Sequence, residues 1–155
     1  MISPESLRRY PFFGGLTNDQ LVSVAMIATE ETYPAGAILC QKGQTADKLF
    51  FLKEGSVDLY YPEKGKKSPK FPEGIPISEV NPGEPFAISA LIDPYILTFT
   101  AKVARPIQVI QIEAKPLRTL FKKDKRLAYL LTLQATKAAI ERLDVTRVQL
   151  AAALA

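Results

Sequence analysis

The chain has 155 residues, enough to bury the core of one domain, and a formal net charge of +4. It contains no histidine and one cysteine, Cys40, which removes the commonest general base and makes zinc or iron–sulfur sites poor candidates. No apolar run approaches the roughly 20 residues that span a bilayer, and residues 1–5 lack the pattern of a secretion signal. We therefore expect one cytoplasmic domain, 1–155, with no metal, no cofactor and no membrane association.

The first segment, residues 1–32, is predicted to be helical. Thr17 and Gln20 have the spacing of a capping box, in which each side chain meets the other residue's backbone amide. Apolar residues then recur at helical spacing from Leu21 to Ala28. This pattern predicts a helix that ends before Tyr33.

The middle segment, residues 33–113, contains short apolar or alternating runs bounded by Gly, Pro, Asn and Lys. The predicted strands are 37–40, 49–52, 57–61, 75–80, 98–104 and 107–112. Cys40 lies in the first of them and is expected to be buried. Several short strands with turns between them predict a mainly β fold, a jelly-roll-like β-roll or double-stranded β-helix with flanking helices.

The last segment, residues 114–155, is predicted to be helical, with Pro116 suited to a first turn and a bend near Asp124. A long C-terminal helix is expected over 127–155, which has no Gly or Pro. Its residues at alternating spacings of three and four are Leu133, Thr136, Ile140, Leu143, Arg147, Leu150 and Leu154. The first half of this stripe can pack on the chain's own roll, and the second half predicts a homodimer.

Two basic clusters carry much of the positive charge. They are Lys64, Lys66, Lys67 and Lys70 in the middle segment, and Lys122, Lys123, Lys125 and Arg126 before the long helix. Charge runs are usually solvated surfaces, and an anionic partner is the alternative. No aromatic residues interleave with the second cluster, so nucleic acid is a poor candidate.

The most informative motif is Asn81-Pro82-Gly83-Glu84-Pro85-Phe86-Ala87-Ile88, followed by Pro94-Tyr95-Ile96-Leu97-Thr98. It resembles the phosphate-binding cassette of the cyclic nucleotide-binding domain family, Pro-Gly-Asp-x-Phe-Gly-Glu and then Pro-Arg-x-Ala-Thr. In that family the Glu holds a ribose hydroxyl and the Arg pairs with the cyclic phosphate. Ile88 stands at the Glu position and Tyr95 at the Arg position, so the resemblance implies a cassette frame without its anchors.

The resemblance extends over nearly the whole chain. Leu7, Pro11, Phe13, Gly15 and Leu16 are similar to the family's opening segment. The stretches 33–39 and 42–57 resemble its glycine-punctuated early strands. The expected architecture is that of a catabolite-activator-like β-roll with N-terminal helices and a long C-terminal helix.

The resemblance also implies a ligand site. Its expected residues are Phe86, Ala87, Ile88, Ser89, Ala90, Tyr95, Ile96, Leu97 and Thr98. Ser89 and Ala90 can offer backbone amides to an anion at a helix start, and Thr98 matches a Thr that faces the phosphate. Ile88 and Tyr95 either line a pocket reshaped for a less polar ligand or fill a cavity that binds nothing.

An enzyme is disfavoured because no paired carboxylates, activated nucleophile or metal set converges in the motif. Asp93 and Glu84 flank the cassette, but nothing in the sequence places them together. In the family, a ligand in the cassette shifts the long helix. The resemblance therefore implies a regulatory sensor that responds to a small-molecule effector and signals to a protein partner, and binding of cyclic AMP or cyclic GMP by an altered mode is the alternative. DNA-binding members carry a reading domain beyond that helix, so for a sequence that stops at Ala155 we expect no specific DNA binding.

Overall fold

The computed structural model describes residues 2–62 and 72–155. Its N-terminal region contains two helices. These are α1 (Pro4–Arg8) and α2 (Asn18–Met26), with a 3-10 turn at Pro11–Phe13 between them. The capping box at the start of α2 is confirmed, because the Gln20 amide donates to Thr17 Oγ1 at 3.2 Å and the Thr17 amide donates to Gln20 Oε1 at 2.9 Å.

The prediction of helix up to residue 32 is wrong beyond Met26. Residues Ala28–Tyr33 form strand β1, which pairs antiparallel with a later strand over residues 107–112. Of these six residues, only Ala28 is fully buried. Ladder hydrogen bonds to a neighbouring strand therefore decide the conformation from Ala28 onward, where the helical period that began at Leu21 ends.

The remaining strands complete a six-stranded antiparallel sheet. They are β2 (Ile38–Cys40), β3 (Lys48–Tyr61), β4 (Ile75–Val80), β5 (Pro85–Phe86) and β6 (Thr100–Glu113). The order is β1-β6-β3-β4, with β2 paired to β6 and β5 paired to β3. The predicted mainly β roll with flanking helices and a long C-terminal helix is confirmed.

Two of the strands are longer than expected. The predicted runs 49–52 and 57–61 are parts of β3, and 98–104 and 107–112 mostly belong to β6. Gly55, in the gap between the predicted runs 49–52 and 57–61, lies at a register shift inside the ladder, with φ of +87°. A Cβ there would lie 2.3 Å from Pro106 O, so the close approach of the two strands requires glycine.

The core contains side chains from the N-terminal helices, the strands and the first turns of α3 and α4. Its aromatic centre is Phe51, whose ring contacts those of Tyr10, Phe12 and Phe13 at centroid distances of 4.8, 5.7 and 5.4 Å. Cys40 is buried as predicted. Burial and, secondarily, the charge of Asp47 raise the pKa of its thiol to about 12, which makes it a poor nucleophile.

The chain ends in α3 (Ala114–Lys123) and α4 (Lys125–Leu154), and the predicted bend lies at Asp124. Asp124 caps α4 by accepting from the Leu127 amide at 3.0 Å, and its other oxygen accepts from Gln20 Nε2 at 3.0 Å. The first of these bonds and then the second lower the pKa of the Asp124 carboxyl. Gln20 therefore joins the start of α2 to the start of α4.

The face of α4 that packs on the roll is not the predicted one. Leu127, Leu131 and Ala135 are the buried residues of this helix, whereas Leu133 is half-buried and Thr136 is exposed. A spacing of four keeps the three buried side chains on one face, and the predicted stripe lies on another. Ile140, Leu143, Leu150 and Leu154 are exposed.

Within residues 2–62 and 72–155, no helix combines the length and apolarity needed to cross a bilayer.

Candidate ligand-binding site

The cassette segment, defined here as residues 81–98, begins with a turn that fastens it to β3. The Gly83 amide donates to Leu52 O at 2.8 Å, and Leu52 in turn donates to Glu84 O at 3.0 Å. Phe86 follows, fully buried, and its ring stacks on that of Phe50 at 4.8 Å. Phe86 therefore anchors the segment in the core.

A tight turn at Ala87 leads into the cassette helix, the 3-10 helix Ile88–Leu91. Ala87 is buried and has φ of 59° and ψ of 37°, the left-handed conformation that costs an L-residue about 1–2 kcal/mol. This conformation explains a glycine at the corresponding position of the cassette motif. The Ala90 amide donates to Ala87 O at 3.0 Å, so it is engaged inside the helix and is not free for a ligand.

A cavity of about 340 Å³, the cassette cavity, lies beside this helix. Its lining residues are Ile88, Ser89, Ile92, Asp93, Pro94, Ile96 and Thr98. The structure thus brings together Ile88, Ser89, Ile96 and Thr98 of the predicted site. Ala87, Ala90 and Leu97 are buried in the core cluster. The sequence interpretation missed Ile92, Asp93 and Pro94 as site residues, although they lie between the two parts of the motif.

A second cavity of about 230 Å³, the helix cavity, separates the cassette helix from α4. Its lining residues are Ile88, Leu91, Ile92, Thr132, Ala135, Thr136, Ala139, Ile140 and Leu143. It shares Ile88 and Ile92 with the cassette cavity. The three-four spacing of Thr136, Ile140 and Leu143 predicted an apolar surface on this helix. It did not predict that this surface would face the cassette helix.

Tyr95 packs against α3. Arg118 of α3 lies over its ring, with Cζ 3.9 Å from the centroid, and Arg118 Nη1 donates to Ala90 O at 2.7 Å. Tyr95 is itself left-handed, with φ of 61°. Its amide donates to Ile92 O at 2.8 Å and its carbonyl accepts from the Ala46 amide at 2.7 Å. Tyr95, which stands where the family motif has an arginine, is thus covered by Arg118 of α3.

Other cations around the segment also have protein partners. Lys102 forms an ion pair with Glu73 at 2.8 Å, and this hydrogen bond raises the pKa of the lysine. Arg142 of α4 donates to Pro85 O at 2.8 Å. Burial lowers the pKa of Arg142, and the charge of Glu84 acts in the opposite direction. The basic cluster from Lys64 to Lys70 lies outside the described residues.

The carboxylates that flank the motif point to different surroundings. Asp93 lines the cassette cavity, whereas Glu84 accepts from the Asn81 amide at 2.6 Å. Across the described parts of the chain, no group of His, Cys, Asp and Glu is arranged to hold a metal ion. The chemistry that the cassette cavity offers is an apolar wall with the hydroxyls of Ser89 and Thr98 and one carboxylate.

Comparison with known proteins identifies the family. The model of the cyclic nucleotide-binding domain matches residues 30–124, more than half of the chain, and the chain belongs to this family. A crystal structure from Geobacter metallireducens GS-15, assigned as a cyclic nucleotide-binding protein, is 34% identical with a TM-score of 0.81. The match covers 92% of this chain and 99% of that one. The family is typically regulatory and non-catalytic.

Two curated relatives are much longer proteins. A cyclic nucleotide-gated potassium channel, mll3241 of Mesorhizobium japonicum, is 27% identical over 132 residues, which are 85% of this chain and 32% of the channel. Glutaminase 1 of Bradyrhizobium diazoefficiens is 31% identical over 87 residues, which are 56% of this chain and 13% of that enzyme. The chain therefore spans a third or less of the length of these relatives.

Proposed function

We propose that this protein is a non-catalytic regulatory sensor that binds a small-molecule effector at the cassette cavity and signals to a partner protein. The observation that supports the proposal is that a chain of this family has a cavity at its cassette segment with an altered lining. Ile88 lines the cavity where the family motif has a carboxylate, and Tyr95 packs under Arg118 where the motif has the phosphate-binding arginine.

The lining favours an effector that is less polar than a cyclic nucleotide. Small-molecule pockets are mostly apolar and use a few polar groups to fix orientation, which matches Ile88, Ile92 and Ile96 beside Ser89 and Thr98. Asp93 adds a carboxylate that would repel a phosphate. Binding of cyclic AMP or cyclic GMP by an altered mode is the second candidate, and family membership favours it.

The output of the sensor would pass through α4. Ile88 and Ile92 line both cavities, so a ligand that moves them alters the surface on which Ile140 and Leu143 lie. These two residues begin the exposed stripe that we propose forms a homodimer. A cytoplasmic location and the lack of specific DNA binding complete the proposal.

A thermal-shift screen tests the site. Neutral aromatic and aliphatic metabolites are compared with cyclic AMP and cyclic GMP on the wild type and on the Ile96→Asp variant. We expect neutral compounds to raise the melting temperature of the wild type and to lose most of this effect in Ile96→Asp, because the new carboxylate stands in the apolar wall.

The matched control is Ile75→Asp. Ile75 and Ile96 are 45% and 40% exposed, and Ile75 lies on β4 outside the cassette segment. Compounds that stabilise Ile96→Asp as well as the wild type bind elsewhere and contradict the proposed site. A screen in which only the cyclic nucleotides stabilise the protein favours the second candidate.

A further inference from the structure

The guanidinium of Arg118 touches two parts of the cassette segment at once. It donates to Ala90 O, in the cassette helix, and it covers the ring of Tyr95 in the loop that follows. Both side chains are half-buried, which strengthens a cation–π contact relative to an exposed one. One side chain of α3 therefore holds the helix and the loop together.

Both contacts are made where the segment needs support. Within the cassette helix the Ile92 amide donates to Ser89 O, and Ala90 O is the next carbonyl along the chain. A carbonyl at a helix end requires a donor from outside, and a charged donor is among the strongest. Tyr95 holds a left-handed conformation that few residues other than glycine adopt, so its packing partner helps to fix it.

We infer that Arg118 is a positioning residue for the cassette: with Tyr95 it forms a latch that fixes the cassette helix and its following loop on α3. Since α3 leads through Asp124 directly into α4, the latch joins the geometry of the ligand site to the base of the long helix. The role of this latch in signalling rests on the proposed function, but its existence does not.

The pair also accounts for the residue at position 95. An arginine there, as in the cassette motif, would place two guanidinium groups against each other in a half-buried site, where like charges repel strongly. Tyrosine instead presents a ring face that attracts the cation. Tyr95 and Arg118 therefore form a matched pair in this chain.

Hydrogen exchange of the protein without any effector tests the latch. The Arg118→Met variant keeps an unbranched apolar side chain and removes the guanidinium. We expect it to speed exchange of the Ala90, Ile92 and Tyr95 amides by about ten- to hundred-fold, because a charged hydrogen bond and a cation–π contact are lost. The control Lys115→Met removes an exposed cation from the same helix and should leave these rates unchanged.

Variants at position 95 separate the ring from its hydroxyl. Tyr95→Phe should exchange like the wild type, whereas Tyr95→Leu should resemble Arg118→Met, and the two latch changes together should add little to either alone. Tyr129→Leu, at an exposed tyrosine of α4, is the control for loss of a ring. Arg118→Lys should be intermediate, because it keeps the charge but not the planar fork.

Two results would overturn the inference. The first is unchanged exchange of the three amides in Arg118→Met. The second is an equal acceleration in the β3–β6 ladder, which would make Arg118 a support of the whole fold. Because no effector is present, failure of the proposed ligand site cannot produce either result.

Discussion

Restoring the family's anchors should raise the affinity for cyclic AMP by about a hundred- to ten-thousand-fold. The variant carries Ala87→Gly, Ile88→Glu and Tyr95→Arg. A hydrogen bond to a charged group contributes roughly 1.5–3 kcal/mol, so two anchors contribute about 3–6 kcal/mol, which converts to that factor. Glycine at 87 relieves the left-handed strain and lets a phosphate approach the backbone. Isothermal titration of the variant and the wild type measures the change.

Arg118 of α3 provides a second test in the same experiment. In the triple variant the new arginine at 95 meets Arg118, which lies 3.9 Å from the centre of the present Tyr95 ring. We therefore expect a fourth change, Arg118→Met, to increase the affinity further, because relief of the charge repulsion outweighs the loss of the hydrogen bond to Ala90 O. Ala87→Gly alone serves as the control for backbone relief. If neither the triple nor the quadruple variant gains affinity while both keep the wild-type circular dichroism, the cassette frame is not a competent site.

Glutamate at positions 140 and 143 should convert a dimer into a monomer. Ile140 and Leu143 are 61% and 47% exposed on α4, and with Leu150 and Leu154 they form an apolar stripe on a different face from Leu127 and Leu131, which pack on the roll. In a symmetric parallel pair of helices the stripe becomes the seam, with Arg147 reaching outward into water. Unpaired carboxylates buried in this seam would cost several kcal/mol.

Light scattering coupled to size exclusion measures this effect at tens of micromolar protein. The matched control is Val148→Glu, because Val148 is 63% exposed, close to the 61% of Ile140, but lies on another face of the helix. A wild-type protein that is already monomeric at this concentration contradicts the proposal. A dimer that survives Ile140→Glu and Leu143→Glu places the interface elsewhere.

The local signals in the sequence were sufficient for several elements. The run 75–80 is β4 to the residue, and the capping box of Thr17 and Gln20 has the expected hydrogen bonds. The capping box depends on contacts within three residues, and the run that forms β4 lies between the turn residues Gly74 and Asn81. β1 was missed because most of its side chains are exposed and only pairing with β6 defines it. The predicted gaps between residues 52 and 57 and between residues 104 and 107 lie inside β3 and β6, where a bulged ladder accommodates Gly55.

The residues of the candidate site also differ in whether a local motif could predict them. Ile88, Ser89, Ile96 and Thr98 could be predicted because they belong to one short motif. Arg118 could not, since it lies more than twenty residues away in a helical pattern, where an arginine is ordinarily a solvated residue. The residues that α4 contributes to the helix cavity depend on which face of this helix packs on the roll. That choice is made by Leu127, Leu131 and Ala135, and the sequence allowed a different register.

We propose that the cassette has kept its frame and lost its affinity for cyclic nucleotides. Isothermal titration of the wild-type protein with cyclic AMP, and then with cyclic GMP, tests it most directly. We expect no heat of binding at micromolar ligand, because Ile88 and Tyr95 supply neither the carboxylate nor the guanidinium, and Lys102, Arg118 and Arg142 are engaged with protein partners. A dissociation constant below about 10 µM, equivalent to roughly 7 kcal/mol of binding free energy, would contradict the claim.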